Sequence, residues 1–191
     1  MPDKSNGYES VAGDFIRSRT LSIGPETVRT WAKGLPSGAS VLDLGCGFGC
    51  PISQELIEGG FAVYGVDAAE TLVAEFRRRF PDTAVECSSV EESLFFNRMF
   101  DAVVAWGLMF LLPDENQRRL IGKVAGVMKP GGQFLFTAPK QACTWLDRKT
   151  SLPSISLGYE AYKVLLSECD LVLTGNAEDA GGNYYYLSTR T

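Results

Sequence analysis

Apolar positions along this chain follow two alternating patterns. Short continuous runs, many of them rich in β-branched residues, occupy 41–44, 61–66, 83–87, 101–106, 133–138, 171–175 and 184–189, and each reads as a strand. Between them, near 51–58, 70–80, 114–128 and 159–169, apolar residues recur every three or four positions, the period of a helix with one buried face. Boundary residues agree: Pro51 opens the first of these helices and Gly59-Gly60 closes it, and Asp114 followed by Gln117 is a capping-box pattern. Residues 88–98 fit only a short helical or irregular link. Alternating strands and helices predict a parallel sheet covered on both faces. The last two strands are joined by the turn-rich Asp179-Ala-Gly-Gly-Asn183, so they are expected to pair antiparallel at one edge.

Two segments escape this alternation. Met1 to Gly24 is polar and Ser-rich around Val11-Ala-Gly-Asp-Phe-Ile16, and Pro25 to Lys33 reads as a short helix closed by Gly34. Residues 1–34 therefore form an N-terminal helical segment outside the sheet, either a lid over a substrate pocket or the cover of a sheet edge. Pro139 to Gly158 reads as a long loop carrying Trp145, Asp147 and Arg148, and loops of that length are usually functional or mobile.

Composition narrows the partners. A chain of 191 residues with 45% hydrophobic content supports one compact core, so residues 35–191 are expected to form a single domain. A formal net charge of −5 leaves no basic footprint for nucleic acid. Arg77-Arg78-Arg79 is the one basic cluster, on a helix whose other side is Leu72, Val73, Phe76 and Phe80, which reads as a solvated face. The longest apolar run, Ala102 to Leu112, is shorter than the ~20 residues that span a bilayer, and the first residues show no leader pattern. Five scattered cysteines without CxxC spacing, and no histidine, argue against a metal site and for a reduced, cytoplasmic compartment. Nothing in the sequence indicates an oligomeric state.

Chemistry concentrates in Val41-Leu42-Asp43-Leu44-Gly45-Cys46-Gly47-Phe48-Gly49, where a buried strand passes into glycines at alternate positions. Missing side chains there let backbone approach a ligand closely. A dinucleotide corner needs G-x-G-x-x-G, and its third glycine is Cys50 in this chain. The pattern present is D-x-G-x-G-x-G. The next strand ends on Asp67, 22 residues beyond Gly45, where a carboxylate can accept from both hydroxyls of a ribose in either NAD or S-adenosylmethionine, or cap the following helix. Phe100-Asp101 precedes the fourth strand, and Lys129-Pro130-Gly131-Gly132 precedes the fifth.

In this order and spacing, from about Leu35 to the C-terminus, these motifs resemble the class I S-adenosylmethionine-dependent methyltransferases. That resemblance implies a doubly wound, seven-stranded, mostly parallel sheet of Rossmann-like α/β type with an antiparallel edge strand. It implies S-adenosyl-L-methionine as cofactor and a small-molecule acceptor. Carried onto this chain, Asp43, Gly45, Cys46, Gly47 and Gly49 surround the methionine part and ribose, with Asp43 orienting the amino group. Asp67 holds the ribose diol, Ala68 lies along one adenine face, and the Ser88-Ser89-Val90 turn meets the adenine edge, with Ser88 where many relatives have Asp. Trp106 offers its backbone carbonyl to the cofactor amino group.

The acceptor side is thinner. Tyr8, Phe110, Trp145 and Tyr184 are aromatic residues in loops or at strand tips, open to being substrate contacts or packing. Without histidine no residue stands out as a base, so the catalytic residues stay unnamed; holding acceptor and methyl in line suffices for the reaction. The N-terminal segment and the 139–158 loop are expected to serve the acceptor and leave the cofactor untouched. Two other readings stay open: a non-catalytic cofactor- or partner-binding module, and an NAD-dependent oxidoreductase, which Cys50 and the Lys-Pro-Gly-Gly turn disfavour.

Overall fold

The computed structural model describes residues 3–191, so Met1 and Pro2 of the N-terminal segment lie outside the described residues. In chain order the strands are β1 (Ser40–Leu44), β2 (Ala62–Asp67), β3 (Ala84–Cys87), β4 (Phe100–Ala105), β5 (Met128–Thr137), β6 (Cys143–Leu146), β7 (Pro153–Ser156), β8 (Leu171–Glu178) and β9 (Tyr184–Arg190). The helices are α1 (Tyr8–Ser18), α2 (Pro25–Ala32), α3 (Ile52–Glu58), α4 (Glu70–Arg79), α5 (Asp114–Val127) and α6 (Tyr159–Glu168). Seven strands make one sheet in the order β3-β2-β1-β4-β5-β9-β8. Pairings from β3 through β5 are parallel, whereas β9 runs antiparallel to both β5 and β8. The antiparallel pair thus occupies one edge, with β9 inside it and β8 outermost.

Every residue of β1 is buried, because helices cover both faces. Leu42 and Leu44 point into the cluster under α5 and α6, with Phe134, Phe136 and Tyr162, while Val41 points to the opposite cluster with Val28 and Trp31 of α2 and Leu56 of α3. This period-two division explains why the strand reads as a continuous apolar run. Each such aliphatic side chain contributes roughly 1.5–3 kcal/mol by leaving water.

Within the N-terminal segment, residues 8–18 form a helix, α1, whose Ala12, Phe15 and Ile16 pack on Phe48, Ala69 and Leu72. Three expectations change. The 139–158 segment is a β-hairpin, β6 pairing antiparallel with β7, in which Pro153 takes a first-residue position that needs no ladder hydrogen bond. No capping box forms at α5. There the Pro113 carbonyl accepts from the Asn116 and Gln117 backbone N–H groups, Asp114 pairs with Arg118, and the Gln117 side chain is buried. Its amide donates to the Leu112 and Ile155 carbonyls at 2.8 and 2.9 Å and its oxygen accepts from the Tyr162 hydroxyl at 2.6 Å, joining α5 to α6 and the hairpin. Lys129–Gly132 is a bulge within β5, across which the register with β4 shifts, and a Cβ on Gly132 would lie 2.8 Å from the Lys129 carbonyl.

Candidate functional site

The order of the sheet reverses between β1 and β4, the place where open α/β sheets leave a crevice at the C-terminal ends of their strands. The glycine loop turns across this crevice. Its Gly45 and Cys46 N–H groups donate to the Val66 carbonyl at 2.8 and 3.2 Å, and the Gly47 N–H donates to Asp67 Oδ2 at 2.8 Å. The other oxygen of Asp67 accepts from the Ala69 N–H at 2.8 Å, at the start of α4. One carboxylate therefore fixes both the glycine loop and the helix entrance. Burial raises its pKa, against the two N–H groups that favour its charged form.

Asp43, at the other side of the loop, is 2% exposed and accepts from the Ser53 hydroxyl at 2.5 Å. Burial raises its pKa to about 7, and the Ser53 bond opposes that rise. Sequence reasoning missed Ser53. Its only sequence signal is a small hydroxyl residue on the first turn of the helix after the glycine loop.

A cavity of about 200 Å³ opens at this crevice. Asp43, Gly45, Cys46, Gly47, Asp67, Ala68, Ser88, Ser89, Val90 and Trp106 all line it. Gly49 stands apart. It has φ +86°, and a Cβ there would lie 2.5 Å from the Phe80 ring and 3.0 Å from that of Phe76, so the glycine serves packing between loop and α4. In the Ser88–Val90 turn the Ser88 hydroxyl donates weakly to the Ser89 carbonyl, at 3.3 Å, while the Ser89 hydroxyl is buried without a partner.

A second cavity of about 610 Å³ shares Arg19, Phe110, Asp147 and Asn183 with the first. Phe110, Trp145 and Tyr184 line it, and the Phe110 and Trp145 rings lie 5.4 Å apart. Tyr8 lines the first cavity and donates its hydroxyl to Asp147 Oδ2 at 3.3 Å. In the Tyr184–Tyr186 run, Tyr185 and Tyr186 are buried and Tyr184 alone borders a cavity. Tyr185 accepts from the Trp106 indole N–H at 2.7 Å and donates to Asp179 at 2.6 Å, a chain that holds the Trp106 ring in place.

Helix α1 and the hairpin meet over the two cavities: Lys149 donates to the Ser18 hydroxyl at 2.6 Å, and Gly7 packs against Thr150 and Leu152. Glu9 of α1 also accepts from the Thr71 N–H and hydroxyl at 2.9 and 2.5 Å, tying α1 to the first turn of α4. The N-terminal segment thus borders the first cavity as well as the second. Among the described residues no group of three or more Cys, Asp or Glu side chains could hold a metal ion.

Residues 41–132 match the profile of a methyltransferase domain. That segment, running from β1 to the β5 bulge, is similar to the methyltransferase family. Class I S-adenosylmethionine-dependent methyltransferases also share its fold. The magnesium protoporphyrin IX methyltransferase of Synechocystis PCC 6803, solved with bound S-adenosylmethionine, superposes with a TM-score of 0.78 over 100% of this chain and 98% of that one, at 17% identity. The 1,6-didemethyltoxoflavin-N1-methyltransferase of Burkholderia thailandensis superposes at 0.76, covering 96% of this chain and 84% of the other, with 14% identity.

Sequence relatives include the ubiquinone biosynthesis O-methyltransferase of Paramagnetospirillum magneticum, 34% identical over 112 residues, 56% of this chain and 44% of that protein. The sarcosine/dimethylglycine N-methyltransferase of Aphanothece halophytica is 31% identical over 131 residues, 64% and 44% of the two chains. The matched part thus spans less than half the length of these relatives. Within the chain, the methyltransferase domain match takes in the glycine loop, Asp67 and the Ser88–Val90 turn. Every residue that lines the second cavity, Phe110 excepted, lies outside it, from Arg19 through the 137–148 stretch to the 178–184 stretch.

Proposed function

We propose that this chain transfers the methyl group of S-adenosylmethionine to a small-molecule acceptor, with the cofactor in the first cavity and the acceptor in the second. The junction between the cavities carries this reading. Group transfer requires two ligands in contact, and a glycine-loop cavity opening into an aromatic-lined chamber has room for both, whereas a module that only binds needs one. The relatives are named for small-molecule acceptors in the same way, from sarcosine to a magnesium porphyrin.

The first cavity suits the cofactor. Ser89 Oγ and Arg19 Nε are buried polar atoms without partners on its wall, and glycines leave its floor open. Asp67 has lone pairs left for a ribose diol after its two backbone bonds, and Ala68 borders the adenine position. The free hydroxyl makes Ser89, rather than Ser88, the partner for the adenine edge. Gly45, Cys46 and Gly47 border the amino-acid tail, with Asp43 and the Trp106 carbonyl toward its amino group. Gly49 drops out of this set. When bound, S-adenosylmethionine supplies a methyl group already activated on a sulfonium, so no protein nucleophile is required. The residues of this chain orient and enclose. Positioning of that kind is worth about 7–11 kcal/mol, and α1 with the β6–β7 hairpin forms the lid that keeps water out. Tyr8, Phe110, Trp145 and Tyr184 are the acceptor contacts.

No described helix is long and apolar enough to cross a membrane, and a net charge of −5 gives no footprint for nucleic acid; a cytoplasmic enzyme acting on a diffusible substrate fits both. Incubating the protein with methyl-labelled S-adenosylmethionine and a cell extract tests the proposal. Label is expected in the small-molecule fraction, with or without EDTA. Label in protein or nucleic acid, or none transferred, contradicts it.

Asp43 adds a pH signature. Its folded pKa of about 7 lies above the ~3.9 of a free aspartate. Below 7 the free protein therefore holds a proton there that an approaching ammonium must displace. Affinity for S-adenosylhomocysteine is expected to rise with pH from 5.5 and level off above about 7, with proton release at pH 6. Calorimetry in buffers of different ionisation enthalpy reads that proton, and Asp43→Asn should abolish it. By the same sign, the unliganded fold loses stability as pH rises between those two values.

A further inference from the structure

We infer that Arg19 is the anion seat of the first cavity and that it holds the α-carboxylate of the cofactor's amino-acid tail; this rests on the S-adenosylmethionine reading above. Arg19 follows α1 directly, and its guanidinium carbon lies 4.3 Å from the Trp106 ring centroid and 4.8 Å from that of Phe15. Two aromatic faces thus hold the fork in place. Among the described residues no carboxylate pairs with it, no hydrogen bond satisfies it, and its Nε is buried without a partner.

A guanidinium does not shed its proton in a protein, so this half-buried one, its Nε shut off from water, calls for an anion. The groups around it do not supply one. Burial pushes the phenols of Tyr8 and Tyr185 up, so both stay neutral. Asp147 spends one oxygen on the Lys149 and Thr150 N–H groups of its own turn and the other on Tyr8, and Asp179 accepts from Asn183, Gly181 and Tyr185. Lys4, another cation on the same wall, is paired with Glu92. Arg19 is left for a ligand.

Its place selects which part of the ligand. The Phe15 ring beneath Arg19 comes within 3.7 Å of where a Gly47 Cβ would stand, and Trp106 directly follows β4, the neighbour of the strand that leads into the glycine loop. Arg19 therefore sits by the glycine loop and the tip of β4, where the cofactor reading puts the amino-acid tail. A carboxylate matches the guanidinium fork through two parallel hydrogen bonds. Because Arg19 also lines the second cavity, the same chemistry could come from a carboxylate on the acceptor.

Calorimetry with two ligands separates these sources. S-Adenosylhomocysteine carries the tail; 5′-methylthioadenosine has the same nucleoside and a thioether but no tail. Arg19→Met, which keeps a long side chain between the two rings, is expected to weaken S-adenosylhomocysteine about 30-fold or more, the loss of charge-assisted hydrogen bonds, and to leave 5′-methylthioadenosine within about threefold. Arg19→Lys should fall between. Unchanged S-adenosylhomocysteine affinity moves the seat to the acceptor or to packing and overturns the inference, as does an equal loss for both ligands together with a lower melting temperature. If the parent protein binds neither ligand, the cofactor reading itself fails.

Discussion

Asp67→Ala is expected to weaken S-adenosylhomocysteine binding about a hundredfold or more, beyond the loss of one hydrogen bond to a charged acceptor at about 1.5–3 kcal/mol. The carboxylate has three tasks. It accepts from Gly47 and from Ala69, and it faces the position of the ribose, so its removal frees the glycine loop while it deletes a ligand contact. The melting temperature should drop by several degrees as well, because two backbone N–H groups lose their partner. Asp67→Asn retains one acceptor oxygen and should recover part of the stability but little of the affinity. Thermal unfolding and calorimetry on both variants check this, and an alanine variant that binds like the parent contradicts it.

Gly49→Val should act on the fold instead. At φ +86° a β-branched residue is strained, by about 1–2 kcal/mol, and overpacking a core costs typically 1–3 kcal/mol more. Here the new atoms meet the rings of Phe80 and Phe76 at 2.5 and 3.0 Å. For a domain of this size the sum corresponds to a fall of roughly 5–20 °C in melting temperature. Gly47→Ala is the contrast. At φ +54° it carries backbone strain of about 1–2 kcal/mol as well, but its Cβ has space, with the nearest atom 3.7 Å away, and it enters the cavity wall, so binding should suffer more than folding. Two glycines two residues apart would then be separable, one serving the ligand and one the core.

The contrast shows what the residue pattern could and could not carry. Strand and helix positions in the sheet were legible because burial on both faces of β1 and on one face of α5 writes a period directly into the chain. Glycine loop, Asp67 and the Ser88–Val90 turn were legible because each sits at a strand tip, and the topology brings those tips to one crevice. Gly49 was grouped with the ligand because spacing records that side chains are absent, not what fills the space. Arg19 was invisible for the opposite reason: a lone arginine after a polar helix has no periodicity, and its meaning comes from Trp106, 87 positions away, and from what fails to pair with it. The hairpin was hidden by its length of four residues per strand, too short for alternation to stand out from a loop. Gln117 looked like a cap because it stood three residues after Asp114, yet the packing of α6 and the hairpin around it turned its side chain into the core.

Parallel calorimetric titrations of the parent protein with S-adenosylhomocysteine and with NAD test the central claim, that the crevice between β1 and β4 takes S-adenosylmethionine. Binding of S-adenosylhomocysteine at one site per chain, lost in Asp67→Ala, with no heat from NAD, is the result predicted. Saturable binding of NAD with no response to S-adenosylhomocysteine would contradict it.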